Sequence, residues 1–311
     1  MSEKKGYVVT PEKHVIVCIP YYRCRDYVRR AVQTLLAQTY SNITVVVVND
    51  GDFETPPWPV LSDIFDTRLV RFDIRQNKGP YFATQLVLSA TTAPYLLIQD
   101  ADDWSHPERI QKLLTALDGD KADFAISAQS LIREDLYNSD GPPDIRWIEK
   151  LNGALLVNNP ADKYKVNTKL TRQFLYRSAH HGLFRTEVLR KVGGYYGGFR
   201  TSYDTLLINF ILMVGKIAHV PEPLYYRLIR PTSLTQSAET GYRSIQRKQI
   251  LLKLEGIYNS TYKLYRSYLG GEMTGDNLIK SIRSTCENYI PGDDLQAISS
   301  ESKLLKQSLF M

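Results

Sequence analysis

Short apolar runs alternate with stretches of helical periodicity along the first part of the chain. Residues 14–19 form a largely apolar run that stops at Pro20, which predicts a buried strand. From Tyr27 to Leu36, apolar residues recur at the spacing of one face of a helix. A second run, residues 43–48, is rich in β-branched residues and predicts another buried strand. This alternation is typical of βαβ units and predicts a mostly parallel sheet flanked by helices.

The alternation continues to about residue 130 and then becomes irregular. The further predicted strands and helices of this first part are strands at residues 68–73, 95–99 and 124–127, and helices at residues 81–91 and from His106 onward. Residues 134–178 carry loop signals, among them the segment 138–143. Beyond them, the pattern predicts an apolar helix at 204–214, a strand or an edge hairpin at 216–227, a helix at 244–269 and a mixed tail.

The composition fits an ordinary soluble globular protein. Of the 311 residues, 43% are hydrophobic, 23% charged and 11% aromatic, which excludes a disordered, collagenous or fibrous chain. Three cysteines (Cys18, Cys24 and Cys286) are too few for a disulfide scaffold and favour a reduced setting. The apolar runs fall far short of the roughly 18 residues of a membrane span, and the N-terminal residues lack the apolar core of a secretory signal. We therefore expect a cytoplasmic protein, with peripheral attachment to a membrane left open.

The net charge of +6 is unevenly distributed. Residues 1–110 carry 12 basic and 13 acidic residues, whereas residues 163–191 carry eight basic residues and one acid, Glu187. A nucleic-acid-binding protein is expected to concentrate basic and aromatic residues on one element, and the first 110 residues do not. The basic excess in the second half leaves three interpretations open: an anionic or membrane-held substrate, a bound diphosphate, or a solvated surface.

An acidic turn, Asp100-Ala101-Asp102-Asp103, directly follows the predicted strand at 95–99. In an extended chain the side chains of Asp100 and Asp102 point to the same side, and their charges repel unless a cation lies between them. Mg²⁺ and Mn²⁺ prefer such oxygen ligands and commonly bridge them to phosphates. The alternative is that these aspartates only cap the following helix.

Two other predicted strands also end in polar residues. Pro20-Tyr21-Tyr22 follows the first strand, and Asn49-Asp50-Gly51 follows the second. Ligands of parallel sheets bind beyond the carboxyl ends of the strands, so we expect these residues to meet the acidic turn in one crevice. Asp50 could accept hydrogen bonds from a base or ribose, although Asn-Asp-Gly is also well suited to a simple turn.

Taken together, four motifs resemble glycosyltransferase family 2 over roughly residues 12–130. They are Ile19-Pro20-Tyr21-Tyr22, Val46-Val47-Val48-Asn49-Asp50-Gly51 (preceded by Ala37-Gln38-Thr39-Tyr40), Asn77-Lys78-Gly79, and Ile98-Gln99-Asp100-Ala101-Asp102-Asp103. Further on, segments 182–185, 192–195 and 220–227 are similar to the acceptor half of the family. The resemblance implies an α/β chain with the GT-A fold, a Rossmann-like, mostly parallel sheet with flanking helices, followed by a C-terminal helical extension.

The resemblance also implies a donor site for a nucleotide-diphosphate sugar, with UDP-sugars favoured, and transfer with inversion. Pro20 and Tyr22 would line the nucleoside, and Asp50 would contact the base. Asp100 would lie near ribose and metal, and Asp102, which completes the DXD motif, would be the main ligand of a Mn²⁺ or Mg²⁺ ion. The remaining residues expected to bind the donor are Tyr21, Asn77, Lys78, Gly79, Ala101 and Arg230.

An inverting transfer needs a base that takes a proton from the acceptor hydroxyl. The family carries this base at the start of a helix in its second half, and Asp204 stands at that position. The alternative is that Asp204 is the N-cap of the helix. Its neighbour Tyr203 and the more distant His181 are the candidate acceptor contacts.

The sequence departs from the family in three places. Tyr203 replaces an acidic residue, Thr84-Gln85 stands where many members have Arg-Asn, and Arg230 replaces a histidine that can ligate the metal. Arginine cannot ligate a metal but can clamp a diphosphate with two hydrogen bonds. We therefore expect a weaker dependence on metal than is usual for the family.

The expected organisation is a GT-A domain at residues 1–239, with a donor half at about 12–130 and an acceptor half at 131–239, and a helical extension at 240–311. The expected activity is non-processive transfer of a hexosyl or N-acetylhexosaminyl group to a glycan, glycolipid or small-molecule acceptor by a monomer or homodimer. Two alternatives are a nucleic-acid-binding protein and a sugar-nucleotide nucleotidyltransferase. The latter is disfavoured because Pro20-Tyr21-Tyr22-Arg23 lacks the glycines of a triphosphate loop.

Overall fold

The computed structural model describes residues 13–134, 155–157 and 180–309. Within these residues, nine strands form one mixed sheet in the order β3-β2-β1-β4-β8-β6-β9-β5, with β7 beside β6. Their bounds are β1 (Val15–Tyr21), β2 (Ile43–Asp50), β3 (Leu69–Ile74), β4 (Tyr95–Ile98), β5 (Trp104–Ser105), β6 (Phe124–Arg133), β7 (Leu155–Val157), β8 (Gly182–Arg185) and β9 (Ile217–Ile229).

The described helices cover both faces of the sheet. Their bounds are α1 (Arg25–Leu36), α2 (Pro80–Ala90), α3 (Arg109–Gly119), α4 (Thr186–Lys191), α5 (Tyr203–Val214), α6 (Ile245–Leu269), α7 (Gly275–Glu287) and α8 (Gly292–Leu309), with a short 3₁₀ helix at Pro59–Leu61. Val15 and Val17 of β1 pack with α1 and α3 in one hydrophobic core. Ile16 and Cys18 point to the opposite face and pack with α2 and α5 in a second core. Because both faces are buried, β1 is apolar at nearly every position, as its sequence predicted.

Strands β3, β2, β1 and β4 form the parallel part of the sheet. The parallel ladders, including that between β6 and β9, contain most of the paired residues of the sheet. The predicted α/β class and mostly parallel sheet are therefore confirmed. The carboxyl ends of β1, β2 and β4 lie at one edge, which is the position that ligands of such sheets occupy.

Strand β8 was not predicted from the sequence, yet it joins the two parts of the sheet. It pairs antiparallel with β4 on one side and with β6 on the other. A Cβ atom at Gly182 would lie 2.3 Å from the ring of Phe124, so only glycine fits at the start of this strand. Because β8 runs against β4, the residues just before it, His180 and His181, come to the carboxyl end of β4.

The segment predicted as a strand or an edge hairpin is the single strand β9, which lies between β6 and β5. Its register against β6 shifts between Ser127, which is opposite Val220, and Ala128, which is opposite Pro223. The two intervening residues, Pro221 and Glu222, form a bulge. A proline at a bulge does not break the ladder with its missing N–H group, which is why an internal strand can carry it.

The C-terminal helices pack on the face of the sheet that is covered by α2 and α5. Leu254, Ile257, Leu278, Ile282 and Leu305 join the same core as α2 and α5. The predicted C-terminal helical extension is confirmed, and the tail expected to be mixed forms two helices, α7 and α8. The domain boundary at residue 239 stays a prediction. Among the described residues, the helices are either too short or too polar to cross a bilayer.

Asp294 connects helix α8 to the loop before α2. Its carboxylate is only 6% exposed. It accepts a hydrogen bond from Lys78 Nζ at 2.9 Å and one from the hydroxyl of Tyr196 at 2.5 Å. Lys78 belongs to the predicted donor loop, so the C-terminal layer contributes directly to the position of that loop.

We expect Asp294→Asn to lower the free energy of unfolding by about 1.5–3 kcal/mol, because hydrogen bonds to a buried charged group are worth about that much. Urea denaturation measures the change. Asp293→Asn is the matched control, since Asp293 lies in the same first turn but is exposed. Equal losses in both variants would mean that the helix dipole, not the Lys78 contact, accounts for the effect.

Candidate active site

Three strand ends bring the predicted donor residues to one edge of the sheet. Tyr21 is the last residue of β1, and Asp50 is the last residue of β2. Asp100 is separated from the end of β4 by one residue, Gln99. Tyr21 is buried, and its hydroxyl donates to the carbonyl of Thr55. The side chains of Pro20 and Ala101 are half-buried and buried, respectively.

Tyr22 is an exposed aromatic residue at this edge. Its side chain is 39% exposed, and the guanidinium of Arg23 lies 5.2 Å from its ring centre. An exposed ring at the end of a central strand offers a flat apolar surface on which a planar ligand can stack. The ring of Tyr22 is therefore available to a ligand, whereas the ring of Tyr21 is buried, although the two tyrosines are adjacent in the same motif.

Asp50 holds the loop that precedes α2. Its carboxylate accepts hydrogen bonds from the backbone N–H of Lys78 at 2.8 Å, from that of Gly79 at 2.7 Å and from Asn77 Nδ2 at 3.1 Å. Burial raises the pKa of Asp50 to about 6, although these hydrogen bonds act in the opposite direction. Gly79 has φ +96°, a conformation that favours glycine. Asp50 and residues 77–79 thus form one unit, and contact of Asp50 with a base stays a prediction.

The carboxylates of the acidic turn lie close together, with oxygens of Asp100, Asp102 and Asp103 all within 4.8 Å of one another. Each of them has a different partner. Asp100 faces His181 at 2.8 Å, Asp102 faces Arg230 at 2.7 Å, and Asp103 accepts from the hydroxyl of Tyr225 at 2.6 Å. The mutual repulsion of the three charges is therefore offset by groups from distant parts of the chain.

Asp103 connects the acidic turn to strand β9. Its second oxygen accepts from the backbone N–H of Leu228 at 2.7 Å. Burial, together with the charges of Asp102 and Asp100, raises the pKa of Asp103 well above its usual range. The guanidinium of the fully buried Arg109 lies 4.4 Å from the ring centre of Tyr225 and also donates to Gln99 Oε1. These contacts of Arg109 were not predicted from the sequence, because an arginine at the start of a helix shows no signal of burial.

Arg230 is fixed beside Asp102 on several sides. Its Nε donates to Asp102 Oδ2 at 2.7 Å, its Nη1 to Thr232 Oγ1 at 2.8 Å and its Nη2 to Cys24 Sγ at 2.9 Å. The side chains of Arg230 and Asp102 are only 9% and 14% exposed. The guanidinium also lies over the ring of Tyr27. A cationic side chain is therefore built into the position next to the predicted metal ligand.

His180 lies between the acidic turn and the first turn of helix α5. Its Nδ1 is 3.0 Å from Asp204 Oδ2, and its Nε2 is 3.9 Å from Asp100 Oδ1. Burial acts to lower the pKa of His180, but its contacts with Asp100 and Asp204 outweigh burial and raise this pKa to about 9. One imidazole thus spans a carboxylate that follows β4 and a carboxylate of helix α5.

His181 is buried and rigidly held. Its ring stacks on Tyr225 with 4.5 Å between ring centres, and its Nε2 lies 2.8 Å from Asp100 Oδ2. Burial lowers the pKa of His181 to about 4. Tyr203 is also buried, and its hydroxyl donates to Cys286 Sγ at 3.2 Å. Contact of these two side chains with an acceptor stays a prediction.

Asp204 lies in the first turn of α5, and the N-cap of this helix is Ser202. The N-cap interpretation of Asp204 is therefore wrong. Its carboxylate instead accepts from the hydroxyl of Tyr81 at 2.6 Å and contacts His180. Burial acts to raise the pKa of Asp204, but the hydrogen bonds and charge of His180 and the bond from Tyr81 lower it to about 2. The group is an ionised carboxylate that faces the acidic turn across one imidazole.

Within the described part of the chain, two overlapping sets of side chains could hold a divalent cation. One is Asp100, Asp102 and Asp103, and the other is Asp100, His180 and His181; in each, one ligand atom from every residue lies within 4.8 Å of the others. Both oxygens of Asp103 already accept hydrogen bonds. The carboxylates of Asp100 and Asp102 and the two imidazoles are ligands that divalent cations accept, so the residues present fit such an ion.

Among curated proteins, this chain is similar to "UDP-Glc:alpha-D-GlcNAc-diphosphoundecaprenol beta-1,3-glucosyltransferase WfaP" of Escherichia coli. The two are 24% identical over 144 residues, which cover 46% of this chain and 55% of that protein. The chain therefore matches about half the length of WfaP. A second relative, glycosyltransferase GlyG of Streptococcus pneumoniae serotype 4, is 22% identical over 241 residues, which cover 72% of this chain and 73% of GlyG.

Among solved structures, the fold is similar to that of S. aureus TarS 1-349 in complex with UDP. The TM-score is 0.52 at 17% sequence identity, and the match covers 70% of this chain and 61% of the TarS chain. This similarity confirms the predicted GT-A fold. A family model described as Glycosyl transferase family 2 matches residues 16–193, which is more than half of the chain. The chain belongs to glycosyl transferase family 2.

Proposed function

We propose that this chain is an inverting glycosyltransferase that transfers a sugar from a UDP-sugar to an acceptor hydroxyl. The observation that carries the proposal is the single imidazole of His180 between Asp100, on the donor edge, and Asp204, in α5. A direct displacement needs charge stabilisation on one side of the sugar and a proton acceptor on the other. The site offers both within the span of one side chain.

The nucleoside is proposed to bind at the ends of β1 and β2. The exposed ring of Tyr22 can stack on a base, while Pro20 and Tyr21 support it. Asp50 and the loop Asn77-Lys78-Gly79 would border the base. The choice of UDP rests on two similarities, since the name of WfaP specifies UDP-Glc and the TarS structure is a complex with UDP.

The diphosphate is proposed to lie between the acidic turn and Arg230. A guanidinium has five N–H donors, and three of those of Arg230 bind Asp102, Thr232 and Cys24. The other two can bind phosphate oxygens as the nucleotide leaves. A Mn²⁺ or Mg²⁺ ion held by Asp100 and Asp102 would supply further charge stabilisation to the leaving diphosphate. Because Arg230 contributes a fixed cation, we propose a partial rather than an absolute metal requirement.

Asp204 is proposed to take the proton from the acceptor hydroxyl. The hydrogen bonds from Tyr81 and His180 keep its carboxylate ionised and oriented. An acceptor hydroxyl that takes the place of one of these donors removes a hydrogen bond that lowers the pKa of Asp204. The proton affinity of the carboxylate therefore rises as the acceptor binds, which helps a group with a low pKa to act as a base.

The acceptor is proposed to be a glycan, a glycolipid or a small molecule, which receives a single hexosyl or N-acetylhexosaminyl group. The name of WfaP includes a diphosphoundecaprenol-linked sugar, which supports a lipid-linked acceptor and peripheral attachment to a membrane. Much of the basic segment 163–191 lies outside the described residues. Cytoplasmic location and a monomeric or homodimeric state remain part of the proposal.

The donor proposal predicts a thermal shift. UDP with Mn²⁺ at about 100 times its Kd should stabilise the chain by about 2.7 kcal/mol, which for a chain of this length corresponds to a rise in Tm of about 4 °C. Differential scanning fluorimetry measures the shift, with an oligonucleotide at equal concentration as the control. A shift with the oligonucleotide and none with UDP would favour the nucleic-acid-binding alternative. Nucleotide release from UDP-, GDP- and dTDP-sugars then identifies the donor.

A further prediction concerns metal removal. Because Arg230 is held beside Asp102, we expect transfer to fall in EDTA but to keep a measurable fraction of its rate. The rate of UDP release in EDTA, in excess Mn²⁺ and in Arg230→Gln measures the two contributions. Complete loss in EDTA with full recovery in Mn²⁺ would contradict the proposed compensation by Arg230.

A further inference from the structure

Arg247 is a buried cation for which the described residues provide no ionic partner. It lies in the first turn of α6 and is only 5% exposed. Within the described part of the chain, its Nε has no hydrogen-bond partner, and no carboxylate forms an ion pair with its guanidinium. Arginine is rarely buried unless it is paired. The guanidinium of Arg247 is therefore available to an anionic ligand.

An exposed tyrosine connects this guanidinium to the surface. The Cζ atom of Arg247 lies 4.9 Å from the ring centre of Tyr242, and Tyr242 is 59% exposed. The backbone N–H of Tyr242 donates to the carbonyl of Thr235 at 3.1 Å, which fixes the residue beside the start of α6. A ligand that reaches Arg247 from solvent therefore also meets the ring and the hydroxyl of Tyr242.

Arg227 is a second arginine beside Tyr242. Its Nη2 donates to Thr235 Oγ1 at 3.4 Å, which is long for a hydrogen bond. Burial acts to lower the pKa of Arg227, but nearby acidic groups raise it, namely those of Asp103, Tyr242 and Asp100. Arg227 therefore lies near both Tyr242 and the acidic turn, and its five N–H donors allow further hydrogen bonds to an anion.

Arg247 lies on the side of the site that carries the proposed base. Burial and the contact with Asp204 raise the pKa of Tyr81 well above its usual range, and the positive charge of Arg247 acts in the opposite direction. Tyr81 in turn donates to Asp204 at 2.6 Å. Arg230, which is proposed to bind the donor diphosphate, instead contacts Asp102. Arg247 is therefore close to the group that would face the acceptor.

We propose that Arg227, Tyr242 and Arg247 form an anion subsite for the acceptor, and that the acceptor carries a phosphate or diphosphate group. The inference rests on the proposed function, because it names the class of substrate that binds beside the base. Guanidinium groups match the oxygens of a phosphate with paired hydrogen bonds. The N-terminal end of α6 adds a positive potential at the same place. A phosphate bound there supplies the partner that the buried charge of Arg247 lacks.

Calorimetric titration of the full chain with phenyl phosphate tests the subsite without a measurement of activity. The titration is made in EDTA, so that no metal ion binds the phosphate, and is repeated with UDP present. We expect one site, with the same affinity in the presence of UDP. Arg247→Gln and Arg227→Gln should each weaken binding by at least about tenfold, which is the loss of one hydrogen bond to a charged group. Displacement of phenyl phosphate by UDP would place the anion in the donor site and overturn the inference.

Arg243→Gln is the matched control, because Arg243 carries the same charge just before α6 and is exposed. It should bind phenyl phosphate as the unchanged chain does. Equal weakening in Arg243→Gln and Arg247→Gln would reduce the effect to net charge and contradict the subsite, as would a lack of binding by the unchanged chain. Binding by the unchanged chain and by Arg227→Gln decides the matter even where Arg247→Gln fails to fold.

A second measurement distinguishes a lipid-borne phosphate from a soluble one. Vesicles of phosphatidylcholine that contain farnesyl phosphate are sedimented with the chain, and vesicles of phosphatidylcholine alone are the control. Sedimentation that requires both farnesyl phosphate and Arg247 would support a lipid-borne acceptor. Binding of phenyl phosphate without sedimentation would support a soluble one.

The outcomes also separate this inference from the proposed function. Binding of phenyl phosphate that depends on Arg247, in a chain that turns over no UDP-sugar, would support the subsite and overturn the proposed transferase. Turnover of a UDP-sugar by a chain that binds neither phenyl phosphate nor the vesicles would do the reverse.

Discussion

Asp204→Asn is expected to reduce the rate of sugar transfer by about 10²–10⁴-fold, which is the usual contribution of a general base. The amide has nearly the same shape as the carboxylate but cannot take up a proton from the acceptor. Donor binding should be retained, because the proposed nucleotide contacts lie at the ends of β1 and β2. Rates of UDP release with acceptor, together with calorimetric titration by UDP, separate the two effects.

Two further variants sharpen this prediction. Tyr81→Phe removes one hydrogen bond from Asp204, so we expect a smaller loss of rate than in Asp204→Asn. Asp63→Asn changes a carboxylate of an exposed ion pair with Arg29 and should transfer at the unchanged rate. Full activity of Asp204→Asn would remove Asp204 from the role of base.

The second large effect is expected at the pair Asp102–Arg230. Asp102→Asn leaves the guanidinium of Arg230 without its carboxylate in a position that is only 9% exposed. Removing one partner of a buried ion pair costs about 3–5 kcal/mol. Urea denaturation should show a loss of about this size, and the affinity for UDP with Mn²⁺ should fall as well.

A double variant, Asp102→Asn with Arg230→Gln, distinguishes stability from function. It removes both charges, so we expect it to recover part of the stability that Asp102→Asn loses. Transfer should stay low, because the double variant lacks both groups proposed to face the diphosphate. An Asp102→Asn chain as stable as the unchanged protein would show that Arg230 does not depend on Asp102.

The first half of the fold was predictable because its signals are local. The apolar runs at residues 14–19 and 43–48 and the helical spacing from Tyr27 to Leu36 each lie within one element, and β1, β2 and α1 form there. The short strand β8 has only four residues, too few for periodicity to show. Its place between β4 and β6 depends on pairing with distant strands, which no local pattern encodes.

The site was predictable in its residue types but not in its contacts. Family resemblance pointed to Asp100, Asp102 and Asp204, whereas the partner of each comes from another part of the fold. The Asp102–Arg230 contact joins residues 128 positions apart, and the Asp100–His181 contact joins residues 81 positions apart. Such pairings follow from the order of strands in the sheet. Lys78 illustrates the same limit, since its partner Asp294 lies 216 positions away.

The ladder between β4 and β8 has a mechanical consequence. Tyr95, Leu96 and Leu97 pair with Arg185, Phe184 and Leu183, so the strand that leads to Asp100 and the strand that follows His180 belong to one stiff sheet. A movement of β8 relative to β4 would break backbone hydrogen bonds of this ladder, each worth about 0.5–1.5 kcal/mol. The separation of Asp100 and His180 is therefore set by this ladder when the chain folds. A substrate of the proposed reaction would therefore meet a preorganised site whose geometry it does not have to create.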